Sequence, residues 1–229
     1  MESLADNSAV MAPASEFEHW WYSQGQWVEP ANQRRGGESG VQLLASPDSV
    51  LPALYCKRQQ GHIYRSLRYP FGRPTILRES HAYRAITRLG IITPNLIYSG
   101  IRRHQGQWQA LLVTEALQGF VSLEDWYAEP KPPALTKLML NEVASTLARL
   151  HAARWQHGCC YPKHIFIRVV EKDNHEPKVE VALLDLEKCR RRLHSKTATR
   201  RDLGQLARHR GAMPEVDMML IRDAYQRAR

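Results

Sequence analysis

The stretch His157-Gly158-Cys159-Cys160-Tyr161-Pro162-Lys163-His164-Ile165-Phe166, followed by two apolar runs and then by Ala182-Leu183-Leu184-Asp185-Leu186-Glu187, decides how the rest of the chain is read. The apolar runs, Ile165–Val170 and Val179–Leu184, are rich in β-branched residues and flank a turn through Asp173-Asn174, so they read as a β-hairpin. A carboxylate, Asp185, stands just past the second strand, and two imidazoles, His157 and His164, stand in the loop ahead of the first. Upstream, Ala134 to His151 carries Leu135, Leu138, Met139, Val143, Leu147 and Leu150 at helical spacing and delivers the chain into that loop.

Helix, histidine loop, hairpin and aspartate, in that order, resemble the centre of a protein kinase: a His-x-Asp-x-x-x-x-Asn loop, a hairpin and a metal-binding Asp. Two positions depart from it. Cys159 stands where the catalytic Asp belongs, and His164 stands where the metal-binding Asn belongs.

The N-terminal half supplies further parts. Gly36, Gly37 and Gly40, followed by Val41, form a glycine-rich turn whose backbone N–H groups can approach phosphate oxygens. The strand Leu54-Tyr55-Cys56-Lys57 comes next and offers Lys57 to those oxygens. Tyr55 lies two residues before Lys57, on the same strand face, where the template has a small alanine; a phenol there crowds an adenine. Pro74 to Leu89 reads as a helix with Ile76, Glu79, Tyr83 and Ile86 on one stripe. An acid in an apolar stripe needs a partner, and Lys57 is the candidate; the other reading leaves Glu79 at the stripe's edge in water. The apolar strand Trp108 to Thr114 runs into Glu115-Ala116-Leu117, a hinge whose backbone at Glu115 and Leu117 would meet the adenine edge. Ser122 opens a short helix with a Ser-x-x-acid cap, and Trp20, Trp21 and Trp27 are expected to pack on the domain.

The expected architecture is α+β: a protein-kinase-like bilobal fold with a small β-rich N-terminal lobe and a reduced, mainly helical C-terminal lobe. Residues 1–15 are expected to be disordered, residues 16–115 to form the first lobe and residues 116–229 the second. Four cysteines without a C-x-x-C pair argue against a disulfide framework and against structural zinc. With no apolar run long enough for a membrane span and no signal-peptide pattern, a cytoplasmic protein is expected. The formal charge of +9 favours an anionic partner. Nucleic acid is disfavoured, because aromatics are not interleaved with the basic runs as a base-stacking platform requires.

Beyond the kinase template, Arg34-Arg35-Gly36, Ser39-Gly40-Val41-Gln42, Arg68-Tyr69-Pro70-Phe71-Gly72-Arg73-Pro74-Thr75, Ala110-Leu111-Leu112-Val113-Thr114-Glu115, Gln156-His157-Gly158-Cys159-Cys160-Tyr161 and Leu184-Asp185-Leu186-Glu187-Lys188 resemble the lipopolysaccharide kinase family, with its Kdo and heptose kinases, and more closely its InaA-type members. The resemblance implies ATP and Mg²⁺ (or Mn²⁺) as cofactors and an inner-core sugar or related anionic glycolipid or sugar phosphate as acceptor. It also implies peripheral contact with the cytosolic face of the inner membrane. Asp185 and His164 would then hold the metal, Lys57 braced by Glu79 the phosphates, and Cys159, His157 and His164 the catalytic loop. Asp202 matches the helix Asp that braces this loop in kinase-like folds; the competing reading is a surface acid paired with Arg201 or Arg208. Only 44 residues follow Asp185 and they hold no Ala-Pro-Glu motif, which favours a non-protein acceptor.

For Cys159 two readings stand side by side: a thiolate base, or a small packed residue in a protein that has lost its base. The first gives a weakened enzyme. The second gives a pseudokinase, a scaffold or stress-response protein that binds nucleotide or a partner without transfer. The arginines at 65, 68, 73 and 78 and at 190–192 would face the anionic acceptor or lipid headgroups.

Overall fold

The computed structural model describes residues 15–34, 37–44, 52–67, 69–172 and 175–229. Residues 1–14, Gly36 and the turn at Asp173-Asn174 lie outside the described residues. The chain opens with helix α1 (Glu16–Tyr22), started by a capping box in which the Ser15 hydroxyl accepts from the Glu18 N–H and the Glu18 carboxylate accepts from the Ser15 N–H. Strands β1 (Gln26–Arg34), β2 (Gly37–Leu44), β3 (Leu54–Gln60), β6 (Leu96–His104) and β7 (Gln107–Glu115) form an antiparallel sheet in the order β1-β2-β3-β7-β6. A small separate hairpin, β4 (Ile63–Ser66) and β5 (Tyr69–Pro74), leads into helix α2 (Thr75–Thr87).

Strand alternation explains why this sheet is covered on both faces. From β7, Leu111 and Val113 point to a cluster with Cys56, Leu44 and Phe17, packed by Trp20 and Trp21. Ala110 and Leu112 point the other way, into the main core with Ile76, Tyr83 and Ile86 of α2. Trp27 does not join either cluster and is 48% exposed, contrary to the expectation from sequence. It lies on β1, the edge strand, where only one neighbour is available to cover a large ring.

The second half is organised by α4 (Pro133–Ala152), a helix that begins at Pro133 where a missing N–H costs nothing. Its buried stripe is Met139, Leu140, Val143, Ala144, Leu147 and Leu150. Leu138 was expected on that stripe but is 38% exposed: the core lies along a line through residues 139, 143, 147 and 150, and Leu140 rather than Leu138 completes it. The hairpin β10 (Ile165–Lys172) and β11 (His175–Leu183) is joined at its edge by β8 (Val121–Ser122), which leads into the short α3 (Leu123–Trp126). Two terminal helices, α5 (Ser195–Arg208) and α6 (Glu215–Ala228), pack against α4.

The two halves are tied together by backbone. Ile92, just past α2, bridges to Ala182 in parallel, and the Leu183 N–H donates to the Ile92 carbonyl at 3.0 Å. Among the described residues no helix is long and apolar enough to cross a membrane.

The register of α4 is open to measurement. Leu147→Ala should cost about 2–5 kcal/mol in urea unfolding, as truncation of a buried leucine does. Leu138→Ala should stay below about 1 kcal/mol. Equal losses at the two positions would overturn the placement of the stripe.

Candidate active site

The stretch from His157 to Cys189 is clasped at its ends. Strand β9 (Trp155–Gln156) pairs with β12 (Arg190–Arg191), matching Gln156 with Arg190 and Trp155 with Arg191. Inside the clasp, the β10–β11 register sets Ile165 opposite Leu183, and the Leu184 N–H donates to the His164 carbonyl at 2.9 Å. His164, one residue before β10, and Asp185, two residues past β11, are thereby neighbours: His164 Nδ1 is 3.6 Å from Asp185 Oδ2. Asp185 has φ 56° and ψ 65°, the left-handed region that Asp tolerates better than most residues, at a cost of order 1 kcal/mol. This twist starts the single 3₁₀ turn Leu186–Lys188, which packs on α2.

That turn brings Glu187 to Lys57. The Lys57 ammonium donates to Glu79 Oε2 at 2.9 Å and to Glu187 Oε2 at 3.1 Å. Glu79 is buried in the α2 stripe and would be costly without this partner. The Arg78 Nε–H donates to the Glu187 carbonyl at 2.8 Å, and His62 Nε2 lies 3.9 Å from Glu187 Oε1. Burial works against the Lys57 charge, but the carboxylates of Glu79, Glu187 and Asp185 outweigh it and raise the lysine's pKa above its ordinary value. Asp185 answers in kind. Burial opposes its ionisation, yet Lys57, His164 and a hydrogen bond from the Cys159 thiol hold its carboxyl below the usual range. An amine from the five-stranded sheet and a carboxylate from beyond β11 therefore act on one another across the two halves of the fold.

The loop itself is held from beneath by α5. Asp202 is fully buried, and its Oδ2 accepts from the His157 N–H at 2.6 Å while Oδ1 accepts from the Gly158 N–H at 3.0 Å. Three residues on, and so on the same helix face, Gln205 Oε1 accepts from the Cys160 N–H at 2.8 Å. Asp202 Oδ2 also lies 3.0 Å from His151 Nε2, and His151 Nδ1 is 3.0 Å from the Tyr225 hydroxyl. Of the two readings of Asp202, the brace is the one the geometry carries. Gly158 has φ +80°, and a Cβ there would stand 2.7 Å from the Lys188 carbonyl oxygen, so the loop passes the clasp only as glycine.

The remaining atoms assign hydrogens. The Cys159 N–H donates to His157 Nδ1 at 3.2 Å, which leaves the proton of a neutral ring on Nε2, a buried atom with no partner among the described residues. Burial lowers the His157 pKa against the pull of Asp202 and Asp185. His164 Nδ1 sits 2.9 Å from the Cys159 carbonyl, which only accepts, so Nδ1 carries a hydrogen. Cys159 is 3% exposed, and burial together with the neighbouring Asp185 carboxylate pushes its thiol up to about 12. A group in that state gives a hydrogen bond at neutral pH and does not take a proton. The idea of Cys159 as a thiolate base therefore lacks the electrostatics it needs.

Other expected residues fall as follows. Gly37 starts β2 against the backbone of Gly61 and His62, where a Cβ would come within 2.5 Å; Gly40 pairs with Arg58. At the hinge, the Glu115 and Ala116 N–H groups donate to the Asn95 and Ala53 carbonyls, and the Leu117 N–H makes no hydrogen bond among the described residues. Tyr55 pairs with Thr114 at the cleft end of β3, two residues from Lys57. Glu187, Gln205 and His151 were missed. A carboxylate two residues past Asp185, and a side-chain amide three residues past Asp202, were the available signals.

With this geometry in place, comparison with known proteins is direct. The Lipopolysaccharide kinase (Kdo/WaaP) family profile matches residues 18–225. The chain belongs to that family. It is 40% identical over 221 residues to Protein InaA of Escherichia coli (strain K12), covering 95% of this chain and 98% of that protein. It is 28% identical over 120 residues to the lipopolysaccharide core heptose(I) kinase WaaP of Pseudomonas aeruginosa, covering 50% of this chain and 44% of the kinase. The solved structure of WaaP in complex with acyl carrier protein superposes with a TM-score of 0.66 at 21% identity, covering 92% of this chain and 82% of that one. That likeness fixes the fold as the α+β kinase-like architecture of the family.

Two outcomes check the site. All four cysteines are free and buried, with pKa values raised by burial, so the native protein should titrate no thiol near pH 8, against four in guanidinium. The lowered His157 pKa fixes the sign of an acid effect. The unfolded chain takes up its proton near ~6.5 while the folded one resists, so stability falls as the pH drops from that value towards the folded pKa. A His157→Asn variant should show a flatter melting temperature across that interval, and an unchanged slope would argue against a buried neutral ring.

Proposed function

We propose that this protein is an ATP-dependent phosphotransferase of the lipopolysaccharide core, acting on an inner-core sugar or related anionic glycolipid, with a transfer step weakened by the absence of a general base. The observation that carries this reading is the contact between the two halves at Lys57: its ammonium donates to Glu187 Oε2 at 3.1 Å, two residues past Asp185, so that the amine and the Asp185 carboxylate act on one another. Family membership and the resemblance to named heptose kinases support it.

The residues present suit a nucleotide with a divalent ion. Three carboxylates bear on one ammonium, an excess of negative charge that a divalent cation would balance. Asp185 would hold that ion, with the Nε2 of His164 as a second donor; an imidazole favours Mn²⁺ over Mg²⁺. Among the described residues no group of three or more His, Cys, Asp or Glu forms a metal cage, so phosphate and water oxygens would complete the shell. The ion would neutralise charge on the transferred phosphoryl group. Lys57 would take phosphate oxygens once Glu187 yields its place, and Glu79 would keep the amine aimed. The Leu117 N–H is the hinge donor open to an adenine.

Phosphoryl transfer relies on positioning and electrostatics, so a centre with Lys57 and Asp185 but no base keeps part of its rate enhancement. The base itself is worth about 10²–10⁴-fold. A second reading, a pseudokinase that binds nucleotide without transfer, is favoured by one observation: the buried, protonated Cys159 at the base position.

One series of measurements separates the two. ADP release with lipid A–core acceptor should be detectable with Mn²⁺, should vanish in Asp185→Ala, and should rise about tenfold or more in Cys159→Asp. Stabilisation by saturating nucleotide with no turnover in wild type or Cys159→Asp would establish the pseudokinase. No stabilisation in either would refute both.

A further inference from the structure

We propose that the β4–β5 hairpin is a membrane-seating device: it inserts Leu67 and Phe71 into an anionic phospholipid bilayer and so sets the mouth of the Lys57 cleft at the lipid surface. Leu67 is 105% exposed and Phe71 is 90% exposed, more than any other large apolar side chain of the described residues. Nothing within the protein explains two such groups held in water on one hairpin, Leu67 at its turn and Phe71 on β5. Gly72, at φ +86°, helps present them: its missing side chain leaves the space that Ile63 fills beneath it, where a Cβ would come within 2.6 Å.

The chemistry around the tip selects the partner. From Gly61 to Arg78 the sequence holds four arginines and no acid. Arg65 and Arg73 are exposed, and the Arg73 guanidinium lies 4.7 Å from the Tyr69 ring centre. Tyr69 meets Tyr64 edge to face at 6.3 Å. Two exposed apolar side chains on one hairpin, with tyrosines and exposed guanidiniums beside them, combine the residue types that an anionic interface takes at its acyl and headgroup levels. A protein groove could take the two apolar groups, but it would not call for an exposed arginine on each strand of the hairpin, Arg65 and Arg73.

The same hairpin is wired to the site. The Arg78 guanidinium lies 5.0 Å from the Tyr64 ring centre while its Nε–H holds the Glu187 carbonyl at 2.8 Å. His62, immediately before β4, stands 3.9 Å from the Glu187 carboxylate. A bilayer under the hairpin therefore lies beside the cleft, where a lipid-borne acceptor would approach. That consequence rests on the function proposed above; the insertion itself does not.

The test is flotation of the full chain with vesicles of phosphatidylethanolamine and phosphatidylglycerol, against vesicles of phosphatidylcholine alone. The wild type should float with the anionic vesicles, and its binding should weaken as salt rises. The Leu67→Ser/Phe71→Ser double variant should lose about tenfold or more of this partitioning with an unchanged urea midpoint, since both groups are already in water. A Phe71→Cys variant gives an independent readout, because the native cysteines are buried: a nitrobenzoxadiazole label there should brighten on vesicle addition. Wild-type protein that stays with the bulk solution, a double variant that floats unchanged, or a label that remains in water on floating protein would each overturn the proposal. Nucleotide-induced stabilisation, measured on the same samples, reports on the cleft separately.

Discussion

A largely but not fully buried ammonium ion organises this molecule. Lys57 cannot sit in a protein interior without counter-charge, and its two carboxylates come from different places: Glu79 from α2 beside the sheet, and Glu187 from the turn after the hairpin. Each partner fixes a piece of architecture. Glu79 sets the rotation of α2, so that Ile76, Tyr83 and Ile86 meet the sheet. Glu187 holds the short turn against α2, and with it the twist at Asp185. The pair is a device of arrangement more than of stability, since a buried ion pair often does no better than apolar groups of the same volume.

The loop from His157 to Cys160 shows a second economy of the same kind. One carboxylate, Asp202, receives two consecutive backbone N–H groups and an imidazole, and Gln205 receives a third amide. These donors would otherwise be buried and unpaired, so α5 is needed to form the loop at all. This explains why the loop keeps its shape although the residue at its tip, Cys159, is one that phosphoryl transfer does not use as a base.

The parts of the fold that were legible in the sequence are those fixed by local spacing. The α2 stripe, the long helix before the loop and the β10–β11 hairpin follow from period and turn residues. The Lys57–Glu79 partnership could be reasoned from the cost of a lone acid in an apolar stripe. What could not be read depends on how distant segments meet. Glu187 carries no spacing signal of its own, and only the left-handed turn at Asp185 aims it at Lys57. Leu138 and Trp27 carry the right composition for a core, and only the position of neighbouring elements leaves them in water. Whether Asp202 braced the loop or lay on the surface was undecidable from spacing, because both places on α5 are compatible with the same helix.

The second carboxylate on Lys57 has an implication for selectivity. In the free protein the cation is already matched by an acid on the same chain, whose local concentration is set by the fold and does not fall on dilution. An incoming anion competes with that tethered group rather than with water. A singly charged species offers Lys57 little that Glu187 does not, whereas a polyphosphate carrying its own divalent ion brings both more charge and its own neutralisation. On the proposed function, the resting site would act as a threshold, closed to small singly charged acids and open to a ligand dense enough in charge to displace an internal rival.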